Sequence, residues 1–212
     1  MGPARSGQGW ATRRAKGATR APTSGRAVYR LKVTLRWIRP RIWRRLLVPA
    51  DMTLAQLHDV LQVAMGWDGG HLHQFHVGGE IHGVPSTEDD ITGHDERKSR
   101  LGAVAGDGDR FVYEYDFGDG WEHEIVVEKT VAPEKGVPYP VCVGGERACP
   151  PEDCGGAGGY QHLLEVLADP KHEEHGDLTE WVGGEFDAEA FDAAKVNAAL
   201  GRIGKRRTAG MR

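Results

Sequence analysis

The sequence lacks long apolar runs and has few cysteines. No stretch of about 18 apolar residues occurs in its 212 residues, which excludes a membrane-spanning helix. The N-terminus carries basic residues with no apolar stretch behind them, so no secretory signal peptide is predicted. The three cysteines are odd in number and form no CxxC pair, which argues against a disulfide framework. These absences predict a protein of a reducing compartment, the cytoplasm.

Acidic residues are missing from both ends of the chain. Residues 1–50 contain 13 Lys and Arg, and residues 202–212 contain five more, with no acid in either segment. The middle, residues 51–201, holds the remaining nine basic residues and all 31 acidic ones, a net charge of −22. Basic ends around an acidic body either bind a polyanion or fold back on that body.

The basic residues of the first 45 positions are candidate nucleic-acid contacts. A cationic arm and a cationic strand face are typical of binding to the phosphate backbone of DNA or RNA. Such contacts would be weakly sequence-specific, because no recognition helix is evident. The alternative is a solvated face and a tail that pairs with the acidic body. The candidates are Arg13, Arg14, Lys16, Arg20, Arg30, Lys32, Arg36, Arg39, Arg41, Arg44 and Arg45.

Composition divides the chain into three parts. Residues 1–27 are rich in Gly, Ala, Arg, Thr and Pro, bury too little apolar surface to fold, and are predicted to be a disordered basic tail. Residues 28–201 carry the periodic patterns of one folded domain. Residues 202–212 are predicted to be a second disordered basic tail.

The periodic patterns predict an α+β fold. Alternation over residues 29–37 and a run over 42–48 predict a hairpin, followed by a helix with Thr53 and Gln56 as a capping box. Further strands are expected over residues 72–77, 111–117 and 122–131, with a loop over 79–109 that includes a short helix near 97–104. The segment 144–159 is predicted to be a loop. Helices are expected over 160–168 and from an N-cap at Asp187 to Gly201. This order predicts a mostly antiparallel sheet of hairpins with C-terminal helices packed on it.

Several segments together resemble the plasmid Ri ORF-three-like family, which also occurs as an insertion-element passenger labelled TnpR or putative resolvase. The resemblance covers roughly residues 28–200 and implies an α+β fold, a plasmid or mobile-element association and no established catalytic residues. The segments are VPADMTLAQLHDVLQVAMGWDGGHLHQFHV (48–77), FVYEYDFGDGWEHEIVVE (111–128), YPVCVGGERACPPEDCGGAGGYQHLLEVLADP (139–170) and WVGGEFDAEAFDAAKVNAAL (181–200).

Recombinase chemistry is not supported by the residues present. The four serines, Ser6, Ser24, Ser86 and Ser99, lie in the predicted tail or in polar loops, without an arginine cluster on a folded domain. No nucleophile is assembled with a base. The sequence therefore favours a non-enzymatic binding module, with nucleic-acid backbone as its ligand.

Histidines and aspartates on neighbouring strands form the second interpretation. His71 and His73 are two residues apart on a predicted strand and point to the same face, and His123 lies on another strand. Imidazoles suit Zn or another divalent metal, with Asp116 or Asp119 as carboxylate ligands. The alternative is a set of half-buried histidines hydrogen-bonded to carboxylates or backbone. A third possibility is a protein-interaction adaptor that uses the acidic body to bind a protein partner.

Overall fold

The computed structural model describes residues 27–85 and 93–209, with side chains up to Ile203. In chain order, its elements are β1 (Val28–Leu35), β2 (Trp43–Pro49), α1 (Leu54–Met65), β3 (His73–Val77), β4 (Glu80–Gly83), β5 (His94–Asp95), α2 (Leu101–Val104), β6 (Arg110–Tyr115), β7 (Trp121–Val131), β8 (Val141–Glu146), α3 (Gly156–Ala168), α4 (His175–Trp181) and α5 (Ala193–Ala209).

The strands form one eight-stranded sheet in the order β5-β4-β3-β6-β7-β1-β2-β8. Every pairing is antiparallel except the short parallel pair of β4 and β5. The predicted hairpins β1–β2 and β6–β7 are present, and β1 also pairs with β7. The α+β class with a mostly antiparallel sheet is therefore confirmed.

Helix α1 forms where local signals and apolar spacing agree. The Thr53 side chain accepts a hydrogen bond from the Gln56 amide, and the Gln56 side-chain oxygen accepts one from the Thr53 amide, which confirms the predicted capping box. Gly66 ends the helix in the left-handed conformation, with φ 95°. Leu54, Leu57 and Leu61 are fully buried between α1 and one face of the sheet. Each buried leucine contributes about 2 kcal/mol relative to exposure.

The predicted loops contain further structure. Strands β4 and β5 lie in the expected loop 79–109, where α2 matches the predicted short helix. Strand β8 overlaps the start of the expected loop 144–159, and α3 begins inside it. Strand β8 has a weak local pattern, and its hydrogen bonds come from the distant strand β2, whereas β4 pairs with the preceding strand β3.

The C-terminal helix differs from its prediction at both ends. Asp187 accepts a hydrogen bond from the Glu189 amide in a local turn, whereas Asp192 accepts from the amides of Ala194 and Lys195 and caps α5. The predicted end at Gly201 is also wrong, because α5 continues to Ala209. Residues 202–209 of the predicted tail continue this helix, while residues 1–26 and 210–212 lie outside the described residues.

No helix in the described part of the chain has both the length and the apolar character needed to cross a membrane.

Candidate functional site

His71 and Asp116 lie side by side where β3 begins and β6 ends. The Asp116 amide donates to the Leu72 carbonyl at 2.9 Å, which continues the β3–β6 pairing beyond the strands. Asp116 has φ 54°, and its Oδ1 accepts hydrogen bonds from the amides of Gly118 and Asp119. This turn holds the carboxylate in place, with Oδ2 facing His71 Nδ1 at 3.8 Å.

Asp153 is the third side chain in a group whose members are of types that bind metal ions. It comes from the loop before α3, and its Oδ1 lies 3.3 Å from His71 Nε2. One ligand atom from each of His71, Asp116 and Asp153 lies within 4.8 Å of the other two. Among the described residues, this is the one such group of three His, Cys, Asp or Glu side chains. The Asp116 side chain is 11% exposed, that of His71 is 32% exposed and that of Asp153 is 71% exposed.

Two carboxylates anchor the loop that carries Asp153. Glu152 accepts hydrogen bonds from the Tyr115 hydroxyl and from the Asp68 amide. Asp119 Oδ2 accepts from the Gly155 amide at 3.2 Å. Asp119, predicted as a metal ligand, therefore holds the loop in the described structure and lies outside the three-ligand group.

His73 is engaged elsewhere in a buried cluster. Its Nε2 lies 2.9 Å from Glu96 Oε2, and both side chains are almost fully buried. His58, on α1, stacks on His73 with ring centroids 3.6 Å apart and an angle of 5°. Burial, followed by the neighbouring His73, lowers the pKa of His58 to about 3 and keeps the ring neutral. The Tyr113 hydroxyl can then donate to His58 Nδ1 at 2.7 Å.

His123 is also separated from His71. It is fully buried, and its Nδ1 hydrogen donates to the Tyr113 carbonyl at 3.3 Å. Burial lowers its pKa to about 4, so the ring is neutral at pH 7. The Trp67 ring contacts both His123 and Tyr115, with centroids 5.3 and 5.2 Å away. Of the five predicted metal ligands, the structure therefore brings together only His71 and Asp116.

The basic face of the first hairpin carries acidic partners. Glu128 on β7 pairs with both Arg30 and Arg45, and its contact with Arg45 is bidentate. The side-chain hydrogen bond from Arg45 lowers the pKa of Glu128. Arg36 pairs with Glu122 at 3.0 Å.

The remaining predicted nucleic-acid residues fall into four groups. Lys32 lies over the Trp43 ring. Arg44 is 3% exposed, and its guanidinium donates to backbone carbonyls, including that of Ala64. Arg39 and Arg41 are exposed at the hairpin tip. Arg13, Arg14, Lys16 and Arg20 lie outside the described residues.

The cysteines are protonated thiols rather than ready ligands. Burial raises the pKa of Cys149 and of Cys154 to about 12, and burial also raises the pKa of Cys142. All three are free. A thiolate would therefore form only at high pH or on a bound cation.

Sequence reasoning did not include Asp153 among the metal ligands, and it missed His58 and Glu96. Asp153 lies in a Gly- and Pro-rich loop without periodicity, so nothing local indicates its approach to His71. His58 follows the buried Leu57 on α1, and its place on this amphipathic helix was the one sequence feature that could have indicated its approach to the sheet. Glu96 pairs with His73 across a separation of 23 residues, which no local pattern encodes.

Comparisons with known proteins agree with this fold. The family model described as plasmid pRiA4b ORF-3-like protein matches residues 27–195. The uncharacterized protein y4hQ of Sinorhizobium fredii (strain NBRC 101917 / NGR234) is 44% identical over 177 residues, which cover 82% of this chain and 91% of that protein. The crystal structure of MM3350, a protein of unknown function from Methanosarcina mazei Go1, has 37% sequence identity and a TM-score of 0.72, and the match covers 79% of this chain and 96% of that chain. These descriptions name no activity.

Proposed function

We propose that this chain, which belongs to the plasmid pRiA4b ORF-3-like family, binds a divalent metal ion through His71, Asp116 and Asp153. The observation that carries the proposal is the mutual approach of three ligand atoms to within 4.8 Å. The three side chains come from different segments, the approach to β3, the end of β6 and the loop before α3. Only the folded domain brings them together.

The contacts of His71 with the two carboxylates are longer than typical charge-assisted hydrogen bonds. A charge-assisted hydrogen bond between imidazole and carboxylate is typically about 2.7–2.9 Å long. The His71 contacts are longer, 3.8 Å to Asp116 and 3.3 Å to Asp153. Tetrahedral zinc with ligands at about 2.0–2.1 Å places ligand atoms about 3.3 Å apart. The two contacts use different nitrogens of the ring, Nδ1 towards Asp116 and Nε2 towards Asp153, so an ion bound to either nitrogen requires one carboxylate to move to that side of the ring.

The ligand types favour zinc over magnesium or calcium. Zinc binds both imidazole nitrogen and carboxylate oxygen, and His71 with two aspartates supplies both kinds of ligand. Magnesium and calcium instead prefer oxygen ligands alone. Three protein ligands also leave a fourth position for water, as in catalytic rather than structural zinc sites. The exposed Asp153 side chain opens this position to solvent. The class of chemistry that such a site supports is metal-assisted hydrolysis.

Nucleic-acid binding is the weaker proposal for the described residues. Arg30, Arg36 and Arg45 have carboxylate partners that would compete with phosphate. Arg44 is buried, so its guanidinium cannot contact the phosphate backbone of a nucleic acid.

The test is metal content and affinity of tag-free protein. After chelation and dialysis, isothermal titration calorimetry with zinc should give one site per chain in the wild type. Asp153→Asn should weaken binding at least about tenfold, because it removes a charged ligand from an exposed position that does not support the core. Asp177→Asn, at an exposed position in α4, is the matched control and should bind as the wild type does. Equal affinity in the two variants would refute the proposal.

A further inference from the structure

A separate groove lies at the far end of β3 from the proposed metal site. It has a volume of about 510 Å³ and is bounded by the β3–β4 turn, β5, α2 and the start of β6. This volume lies within the range of about 300–1,000 Å³ that is usual for small-molecule sites. His71 of the metal group and Gly78 of the groove are seven residues apart along an extended strand, which corresponds to roughly 20 Å. The groove and the metal group are therefore distinct.

The groove contains a histidine that is held by a hydrogen bond to Ser99. His82 Nδ1 lies 2.8 Å from Ser99 Oγ, and the Ser99 hydroxyl donates to the Asp95 carbonyl at 3.1 Å. With the serine proton on that carbonyl, His82 Nδ1 donates to Ser99. Burial, followed by the neighbouring His94, lowers the pKa of His82 and keeps the ring neutral at pH 7. His82 Nε2 is then a hydrogen-bond acceptor.

Two carboxylates line the same groove. Glu80 lies beside both histidines, with Oε2 3.5 Å from His94 Nε2. Asp109, just before β6, also lines the groove and accepts a hydrogen bond from the Gly106 amide at its Oδ2. The arginine at the rim, Arg110, is already paired with Glu124 at 3.1 Å. The groove is consequently rich in acceptors and negative charge.

We infer that this groove binds a small organic cation with N–H donors, an alkylammonium or guanidinium compound. Glu80 and Asp109 supply charge-assisted acceptors, and the imidazole of His82 supplies a neutral, oriented one. The apolar part of the ligand would lie against Val77, Ala103 and Val104.

A metal ion suits this groove less well than an organic cation. Within the described ranges, Glu80, His82 and His94 do not form a group of three ligand atoms close enough to share an ion. The ring centroids of His82 and His94 are 5.0 Å apart, so the two rings are direct neighbours, and the ligand occupies the rest of the groove of about 510 Å³. Size and spacing therefore select an extended donor-rich ligand.

The test is calorimetric titration of the full chain with putrescine and agmatine, followed by NMR of the histidine ring protons. Tetramethylammonium is the control ligand, because it carries the charge without N–H donors. We expect measurable binding of at least one diamine or guanidine below about 10 mM, with a shift of the His82 resonances, and no binding of tetramethylammonium.

Two variants locate the site without disturbing the core. Glu80→Gln should weaken binding about tenfold or more, because it removes a charge-assisted acceptor. Ala103→Leu should also weaken it, because this exposed residue lines the groove and a larger side chain fills it. Glu134→Gln removes the same charge at an exposed position elsewhere and should leave binding unchanged.

Three results would overturn the inference. One is no binding of putrescine or agmatine at about 10 mM. Another is equal binding of tetramethylammonium, and the third is equal weakening by Glu80→Gln and Glu134→Gln. The last two would indicate attraction to the acidic surface as a whole.

Discussion

The buried His123 should make the stability of the fold depend on pH. Its pKa is lowered from 6.5 to about 4 by burial. Between pH 6.5 and 4, His123 is therefore protonated in the unfolded chain and neutral in the folded chain. The free energy of unfolding consequently falls as the pH falls towards 4. Each pH unit in this window costs about 1.36 kcal/mol, so acidification from pH 6.5 to 5 should cost about 2 kcal/mol through this residue.

The assay is urea denaturation of the wild type and of His123→Phe at several pH values between 7 and 5. The variant removes the titrating group, so its free energy of unfolding should fall less steeply with pH by about 2 kcal/mol over this range. His58, whose pKa is also lowered, contributes equally to both proteins and cancels. His162→Gln changes an exposed histidine and should keep the wild-type slope. Parallel curves for the wild type and His123→Phe would refute the assignment of a neutral buried ring.

Three further tests address the helix cap, the packing of a glycine and a surface ion pair, with stability measured by urea or thermal denaturation. Thr53→Ala should destabilise the protein by about 1 kcal/mol, because it removes one half of the capping box, and an unchanged midpoint would contradict the cap. Gly159→Ala should cost about 3 kcal/mol or more, because a Cβ there overlaps the Cys154 carbonyl, whereas Gly158→Ala has open space and should be neutral or stabilising by up to about 1 kcal/mol. Glu128→Gln should lower the free energy of unfolding by about 1 kcal/mol, because it removes the carboxylate that pairs with Arg30 and Arg45. The same variant should bind duplex DNA more tightly at low salt, since both arginines are released. Unchanged DNA binding would show that the pairing with Glu128 does not limit DNA binding.

Local sequence signals account for the parts of the fold that could be predicted. The α1 capping box involves residues three apart, and the alternation of β1 is visible in eight consecutive residues. Strand β8 gives no such signal, because its sequence contains Gly144 and Gly145. The second of these glycines allows the Phe191 ring to approach, and a Cβ there would lie 2.6 Å from that ring. This strand depends on partners that are distant in sequence.

The same distinction applies to the candidate site. His71 and Asp116 could be placed near each other because each falls at the end of a predicted strand. The approach of Asp153 depends on two anchors, the hydrogen bond between Tyr115 and Glu152 and the one between Gly155 and Asp119. Alternation alone also could not show that Trp67 contacts His123, which is buried away from His71. Side-chain packing between distant segments decides which polar residues meet.

The most direct test of the metal proposal is X-ray absorption spectroscopy of the zinc-loaded full chain. The site described here predicts a first shell of nitrogen and oxygen atoms at about 2.0–2.1 Å, with no sulfur, and loss of the one-imidazole signal in His71→Gln. A sulfur shell at about 2.3 Å would assign the metal to the cysteines instead. That result, or a spectrum unchanged by His71→Gln, would contradict a site formed by His71, Asp116 and Asp153.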